Sequence, residues 1–327
     1  MPMHNALAHT RVPANEAMTS ANPLHALNAQ QQALVQRLTT ALGNEPGVAA
    51  VALGGSYARG HATPESDIDL ALYYSEAAPP DLVRLTQLVN ELHPEHSPAS
   101  AAPDFTAIGE WGPWVNGGAW LRFGGQRVDV LYRSLDQVRR VLTDCAEGRW
   151  ELHWAQQPPF GYFSPAFIEE LCIGVPLFDR TRGFTHLRSI ARVYPGALRQ
   201  RIVQEFLWSA EFNLAAFAPK FVRDGNVFGL AGCTSRIAFQ LVQVLFALNM
   251  RWPVPDRVAL AATCTMQNVP ERFSQRLAQV LGEVGTTSEA QRRTLGELMT
   301  LWQEVRALAG PMYAPRQLPE KVVEPSN

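Results

Sequence analysis

The stretch from Leu53 to Leu70, LGGSYARGHATPESDIDL, decides the reading of this chain. It opens where a short apolar run, Val48 to Leu53, meets Gly54-Gly55-Ser56. It closes where Asp67 and Asp69 stand at the head of a second run, Ile68 to Tyr74. Short apolar runs bounded by glycine and proline predict buried strands. Residues two apart in a strand share a face, so Asp67 and Asp69 point the same way while Ile68 turns into the core. Two carboxylates so placed repel each other unless a cation lies between them. Mg²⁺ suits that position, being a hard ion held by one or two carboxylates and by substrate phosphates. Gly54 and Gly55 allow close backbone approach, and Ser56 at a helix start offers a hydroxyl and amide N–H groups to a phosphate.

A third carboxylate, Asp129, lies in RVDVLYR between Val128 and Val130. An acid inside an apolar strand is costly unless it is paired or metal-bound. If its strand neighbours that of Asp67 and Asp69, the three acids can hold two ions about 3.5 to 4 Å apart. Such a pair clamps the attacking and leaving oxygens of an in-line phosphoryl displacement. The plainer alternative is a salt bridge from Asp129 to Arg127 or Arg133.

Gly54-Gly55-Ser56, then Asp67-x-Asp69, then a later strand acid resembles the signature of the polymerase-β-like nucleotidyltransferase superfamily. The string GSYARGHATPESDIDL is similar to the form found in small bacterial members, among them aminoglycoside and lincosamide nucleotidyltransferases and the minimal enzymes of antitoxin pairs. The resemblance covers about residues 48 to 133. It implies transfer of a nucleoside monophosphate from a triphosphate with two Mg²⁺ ions. Gly54, Gly55 and Ser56 would then hold phosphates, and Asp67 and Asp69 would ligate metal. Asp129 would be the third ligand or the base for the acceptor hydroxyl. Arg59, where the bacterial string also carries arginine, would touch phosphate or support the Ser56 loop, unless it is an ordinary structural ion pair.

Outward from this stretch the chain reads as α+β: an N-terminal mixed α/β nucleotidyltransferase domain over 23–150 and a C-terminal all-helical domain over 160–312. Helical spacing is expected from Leu24 to Leu42 and from Leu82 to Leu92, and Gly124-Gly125-Gln126 reads as the turn of a hairpin. Ser134 with Gln137 forms a capping box opening a helix over 135–147. Beyond Pro158-Pro159 strand-like alternation disappears, and helix-period residues fill 165–175, 185–218, 227–250, 269–284 and 288–309. Residues 1–22 and 313–327 read as mobile ends.

In the helical half, Lys220 in APKFVRDGNVF resembles the basic segment that such enzymes aim at a triphosphate, with Arg223 a weaker candidate and Asp224 a turn residue. The bland reading of Lys220 is a solvated lysine at a helix end. Arg236, Gln240 and Gln243 form a polar stripe, read first as a solvated edge. Glu211 borders an apolar face and is an alternative general base. In GEWGPWVNGGAW, residues 109–120, three tryptophans stand among four glycines. They either make a wall for an acceptor or plug the core. His61 is the one histidine inside the decisive loop.

Composition bounds the rest. The 327 residues are 46% hydrophobic and 18% charged, which excludes a disordered chain. With 28 basic against 30 acidic residues the net charge is -2, so any anion must be gripped locally. Only Lys220 and Lys321 among the basic residues are lysine, leaving 26 arginines. Four scattered cysteines read as reduced and buried, and no leader or long apolar span is evident, so a cytoplasmic setting without a membrane partner is expected. The expected reaction is AMP transfer from ATP, or another NTP, to a hydroxyl of a small-molecule acceptor, with aminoglycoside-like and lincosamide-like compounds in view. Adenylylation of a protein or tRNA partner, or a catalytically silent nucleotide-binding module, are the alternatives; near-neutral charge makes nucleic acid the weaker acceptor.

Overall fold

The computed structural model describes residues 23–92 and 105–316. The expectations for 1–22 and 317–327 lie outside the described residues. The chain divides into two compact units, 1–143 with 162–193 and 144–161 with 194–327. The sequence placed the division at 150–160. In the structure, a later segment, 162–193, returns to the first unit.

The first unit is built on a five-stranded sheet with β1 Val48–Leu53, β2 Ile68–Tyr74, β3 Gly118–Phe123, β4 Gln126–Ser134 and β5 Val175–Asp179. Their order is β3-β4-β2-β1-β5. β2 and β4 run parallel, and β1 pairs antiparallel with both β2 and β5. β5 corrects the expectation that strands end before residue 160. It is a half-exposed edge strand carrying Pro176, so no alternation of apolar residues announces it. Gly124 and Gly125 both have positive φ, 53° and 90°, which suits the two-residue turn joining β3 to β4.

Helix α1 Ala29–Asn44 starts at Asn28, whose side chain accepts from Gln31 N while the Gln31 side chain accepts from Asn28 N, a full capping box. Its Val35, Leu38 and Leu42 pack with Leu85 and Val89 of α3 Leu82–Glu91 against Val51, Leu53, Ile68, Leu70, Leu72, Val128 and Val130. That apolar layer takes one face of the sheet and leaves Asp69 and Asp129 on the other. Between β1 and β2 lies the short helix α2 Gly55–Arg59, and α4 Leu135–Ala146 follows β4. Gln137 N donates to Ser134 Oγ as the capping box requires. The Gln137 amide, however, donates to Pro113 O instead of closing the box. Helices α5 Ala166–Ile173 and α6 Gly183–Ala191 complete the unit.

The second unit is mainly helical among the described residues, with one two-residue strand, Leu152–His153. It contains α7 Gly196–Phe212, α8 Ala218–Arg223, α9 Val227–Leu248, α10 Asp256–Ala262, α11 Phe273–Gly282 and α12 Ser288–Ala309. The segment expected to be helical over 185–218 is broken at Tyr194-Pro195-Gly196, where proline ends one run and caps the next. α9 is the core helix foreseen from its two apolar sides. It is long and apolar enough to cross a membrane, yet most of it is buried inside the unit.

Three expectations change here. Gln240 and Gln243 are buried, not a solvated edge; Gln240 Nε2 donates to Ser209 Oγ at 2.7 Å. Tyr313, assigned to a mobile tail, is buried and donates to the Glu211 carboxylate. Of the four cysteines only Cys145 is fully buried, where burial pushes its thiol up to about 12, while Cys264 is exposed.

Candidate active site

The site is assembled at the end of β1. Gly54 N donates to Asp69 O at 2.8 Å, which joins the turn after β1 to the start of β2. Gly55 has φ +56° and presses its Cα onto the Asp69 side chain, so that a β-carbon there would stand 1.7 Å from Oδ2. Gly54 is under no such demand, since an added β-carbon would have only ordinary contacts at 3.8 Å. Ser56 follows in the first turn of α2, with its carbonyl accepting from His61 N. His61 itself is exposed.

Because β2 and β4 are parallel, Asp69 and Asp129 are direct partners across the ladder and leave the same sheet face. The antiparallel pairing of β3 with β4 sets Trp120 opposite Asp129 on that face as well. A row therefore crosses the sheet from Trp120 through Asp129 to Asp69 and on to the Gly54-Gly55-Ser56 turn. Burial raises the affinity of the Asp129 carboxyl for its proton, the Asp67 charge adds to this, and Arg127 opposes it.

Asp67 precedes β2 and is engaged by Arg127, whose Nε donates to Asp67 Oδ1 and whose Nη2 donates to Glu65 O at 3.2 Å. The arginines considered as partners of Asp129 are thus used elsewhere: Arg127 on Asp67, and Arg133 on Glu170 at 2.7 Å. Arg59 is held by both oxygens of Glu169, a carboxylate on α5 whose side chain is 8% exposed. This fork ties α2 to α5. Lys220 belongs to the second unit, where its Nζ lies 5.8 Å from the centre of the Phe217 ring, and Arg223 there pairs with Asp224.

Sequence reasoning missed the network beneath the turn. Gln31 Nε2 donates to Tyr57 Oη at 2.8 Å and to Gln126 Oε1 at 2.9 Å, and Gln126 Nε2 donates to Ser66 O at 3.2 Å. One buried amide on α1 thereby connects α2, the hairpin and the residue before Asp67. The Asn28-x-x-Gln31 capping signal was legible, but it accounts only for the Gln31 oxygen.

All three acids offer the hard oxygen donors that suit Mg²⁺. Among the described residues, no group of three or more His, Cys, Asp or Glu side chains is gathered closely enough to hold a metal ion. Asp69 and Asp129 stand abreast, while Asp67 is turned to the Arg127 guanidinium. The donor chemistry fits the ion, with positive charge already supplied at Asp67 by arginine.

Comparison with known proteins adds one observation that bears on the site. Residues 35–97 match the nucleotidyltransferase domain family. The matched nucleotidyltransferase segment carries Gly54, Gly55, Ser56, Asp67 and Asp69, and it supports nucleotidyl transfer as the general activity; Asp129 and the tryptophans lie beyond it. The chain is also similar to a crystal structure of a nucleotidyltransferase-like protein from Exiguobacterium sibiricum 255-15. That likeness covers 85% of this chain and 78% of the other, at 12% identity and a TM-score of 0.44. No curated protein sequence matches the chain.

Proposed function

We propose that the protein is a Mg²⁺-dependent nucleotidyltransferase that moves a nucleoside monophosphate, AMP from ATP, onto a hydroxyl of a small-molecule acceptor. The observation that carries this reading is the placement of Asp69 beside Asp129 on neighbouring parallel strands, with Gly55 closed against Asp69. In the reaction the acceptor oxygen attacks the α-phosphorus, the bond from that phosphorus to the bridging oxygen breaks, and pyrophosphate leaves with the electron pair. The acceptor proton passes to a carboxylate oxygen of Asp129, whose burial favours accepting it.

Asp69 and Asp129, joined by Asp67 on its release from Arg127, would hold the metal, which when bound would neutralise phosphate charge and align the oxygens of the displacement. Gly54 and Gly55 leave room at the turn for phosphate oxygens, and Ser56 adds a hydroxyl there. Gly55 also fixes the Asp69 carboxylate. The role of Arg59 in this reading is to brace α2 through Glu169 rather than to touch phosphate. The net charge of -2 supports a small acceptor over a nucleic acid, which would need a sustained basic surface.

The test is incubation of the purified protein with MgCl₂, ATP labelled in its α-phosphate, and a panel of aminoglycosides, lincosamides, tRNA and proteins. Label on a small hydroxylated compound, with pyrophosphate released in equal amount, is expected. Label on tRNA or protein would reassign the acceptor, and no transfer to any acceptor would count against the enzyme.

A further inference from the structure

The segment 109–120 does two things at once. Trp114 is buried, stacked on Tyr162 with ring centres 5.2 Å apart and set edge-on to Phe167, so it is a core residue. Trp120 is 69% exposed and stacks on Trp111 at 4.4 Å with the planes 22° apart. A tryptophan left so open on a sheet face beside half-buried acids is not explained by packing.

The loop that presents Trp111 is held firmly. Asn116 sits at φ 71° and donates from Nδ2 to Tyr74 Oη at 2.7 Å, while its carbonyl accepts from Gly109 N at 2.7 Å and Trp111 N at 3.4 Å. With Trp114 anchored below, the indole pair is fixed before any ligand arrives, which lowers the ordering cost of binding.

We infer that the Trp111–Trp120 stack is the acceptor shelf, and that it takes a saturated hydroxylated ring of the sugar or aminocyclitol kind. This rests on the reading of the row through Asp129 and Asp69 as the reacting centre. Trp120 is the direct cross-strand partner of Asp129, and such partners have β-carbons about 4.5–5.5 Å apart. A ring whose C–H face lies on Trp120 therefore carries its hydroxyls beside the Asp129 carboxylate. At the opposite end of the same row stands the turn assigned to the triphosphate, so acceptor, base and nucleotide follow one another across the sheet. A flat nucleobase belongs with the triphosphate end, not with Trp120.

The test is calorimetric titration of the full chain with kanamycin A and lincomycin as ring probes, adenosine as a flat probe, and α,β-methylene-ATP with MgCl₂ as the nucleotide control. Wild type is expected to bind at least one ring probe. Trp120→Ala should weaken that binding about five- to tenfold, Trp120→Phe should restore most of it, and nucleotide affinity should not move. The inference is overturned if neither ring probe binds, if Trp120→Ala binds them as wild type does, or if that change weakens adenosine or the ATP analogue instead. Failure of wild type to bind the ATP analogue would strike the nucleotidyltransferase reading, whatever the tryptophans do.

Discussion

Gly55 and Asp69 are in such close contact that a β-carbon on residue 55 would stand 1.7 Å from the carboxylate oxygen Oδ2. Together with the positive φ of Gly55, this makes residue 55 the one place in the turn where only glycine fits. Gly55→Ala should cost about 2 kcal/mol or more of stability and lower nucleotidyl transfer about a hundredfold, because Asp69 must move. Gly54→Ala, with nothing nearer than 3.8 Å, should melt close to wild type. Thermal unfolding of the two variants side by side checks the asymmetry.

Arg127 and Asp67 form an ion pair with side chains 53% and 34% exposed. Such a pair contributes under about 1 kcal/mol to stability, so Arg127→Ala should unfold near the wild-type temperature. Its effect should fall on the metal. Removing the guanidinium frees Asp67 for a cation, and Mg²⁺ should bind a few-fold more tightly, as measured by titration. Weaker Mg²⁺ binding would mean that Arg127 supports the ion site instead of competing for it.

Glu169 holds Arg59 from both oxygens in a mostly buried setting. Removal of one partner leaves the other charge poorly solvated, so Glu169→Gln should cost about 3 kcal/mol. If the fork braces α2, the same variant should raise the KM for ATP by more than it lowers kcat. Denaturant melts and steady-state kinetics separate the two effects.

Asp256, the first residue of α10, has its carboxyl raised by burial from 3.8 to about 6. A raised acid favours the folded state only while protonated. That contribution is complete below about pH 4 and is lost as pH rises through about 6. Asp256→Asn should therefore stabilise the protein at pH 7 and have no effect below pH 4. Half-exposure and the favourable helix N-terminus limit the gain to about 1 kcal/mol. Melting curves across that range test both the sign and the window.

The two strands flanking the decisive loop could be read from sequence because β1 is a short apolar run between glycines and β2 a short, mostly apolar run between polar residues. The acids were legible for the same reason: Asp69 and Asp129 interrupt runs that otherwise bury every second residue. Their adjacency was not legible, since it depends on β2 pairing in parallel with β4 across a connection that includes β3 and residues outside the description. β5 was missed because a half-exposed edge strand with Pro176 has no period-two pattern. The tryptophans divided because residue 120 alternates outward on its strand while Trp114 faces Tyr162, a contact no local pattern contains. Arg127 was considered as a partner for Asp129, and the structure pairs it with a different acid. It takes Asp67, the residue just before β2, and not Asp129 two residues along its own strand.

The most direct measurement is pyrophosphate release from ATP, with MgCl₂ and the acceptor panel, by wild type and by Asp69→Asn of matched fold. Loss of about 10²- to 10³-fold or more in the variant is the expected result, because Asp69 is the acid that Gly55 fixes and Asp129 accompanies. Release by Asp69→Asn at the wild-type rate would contradict the assignment of this row of residues as the reacting centre.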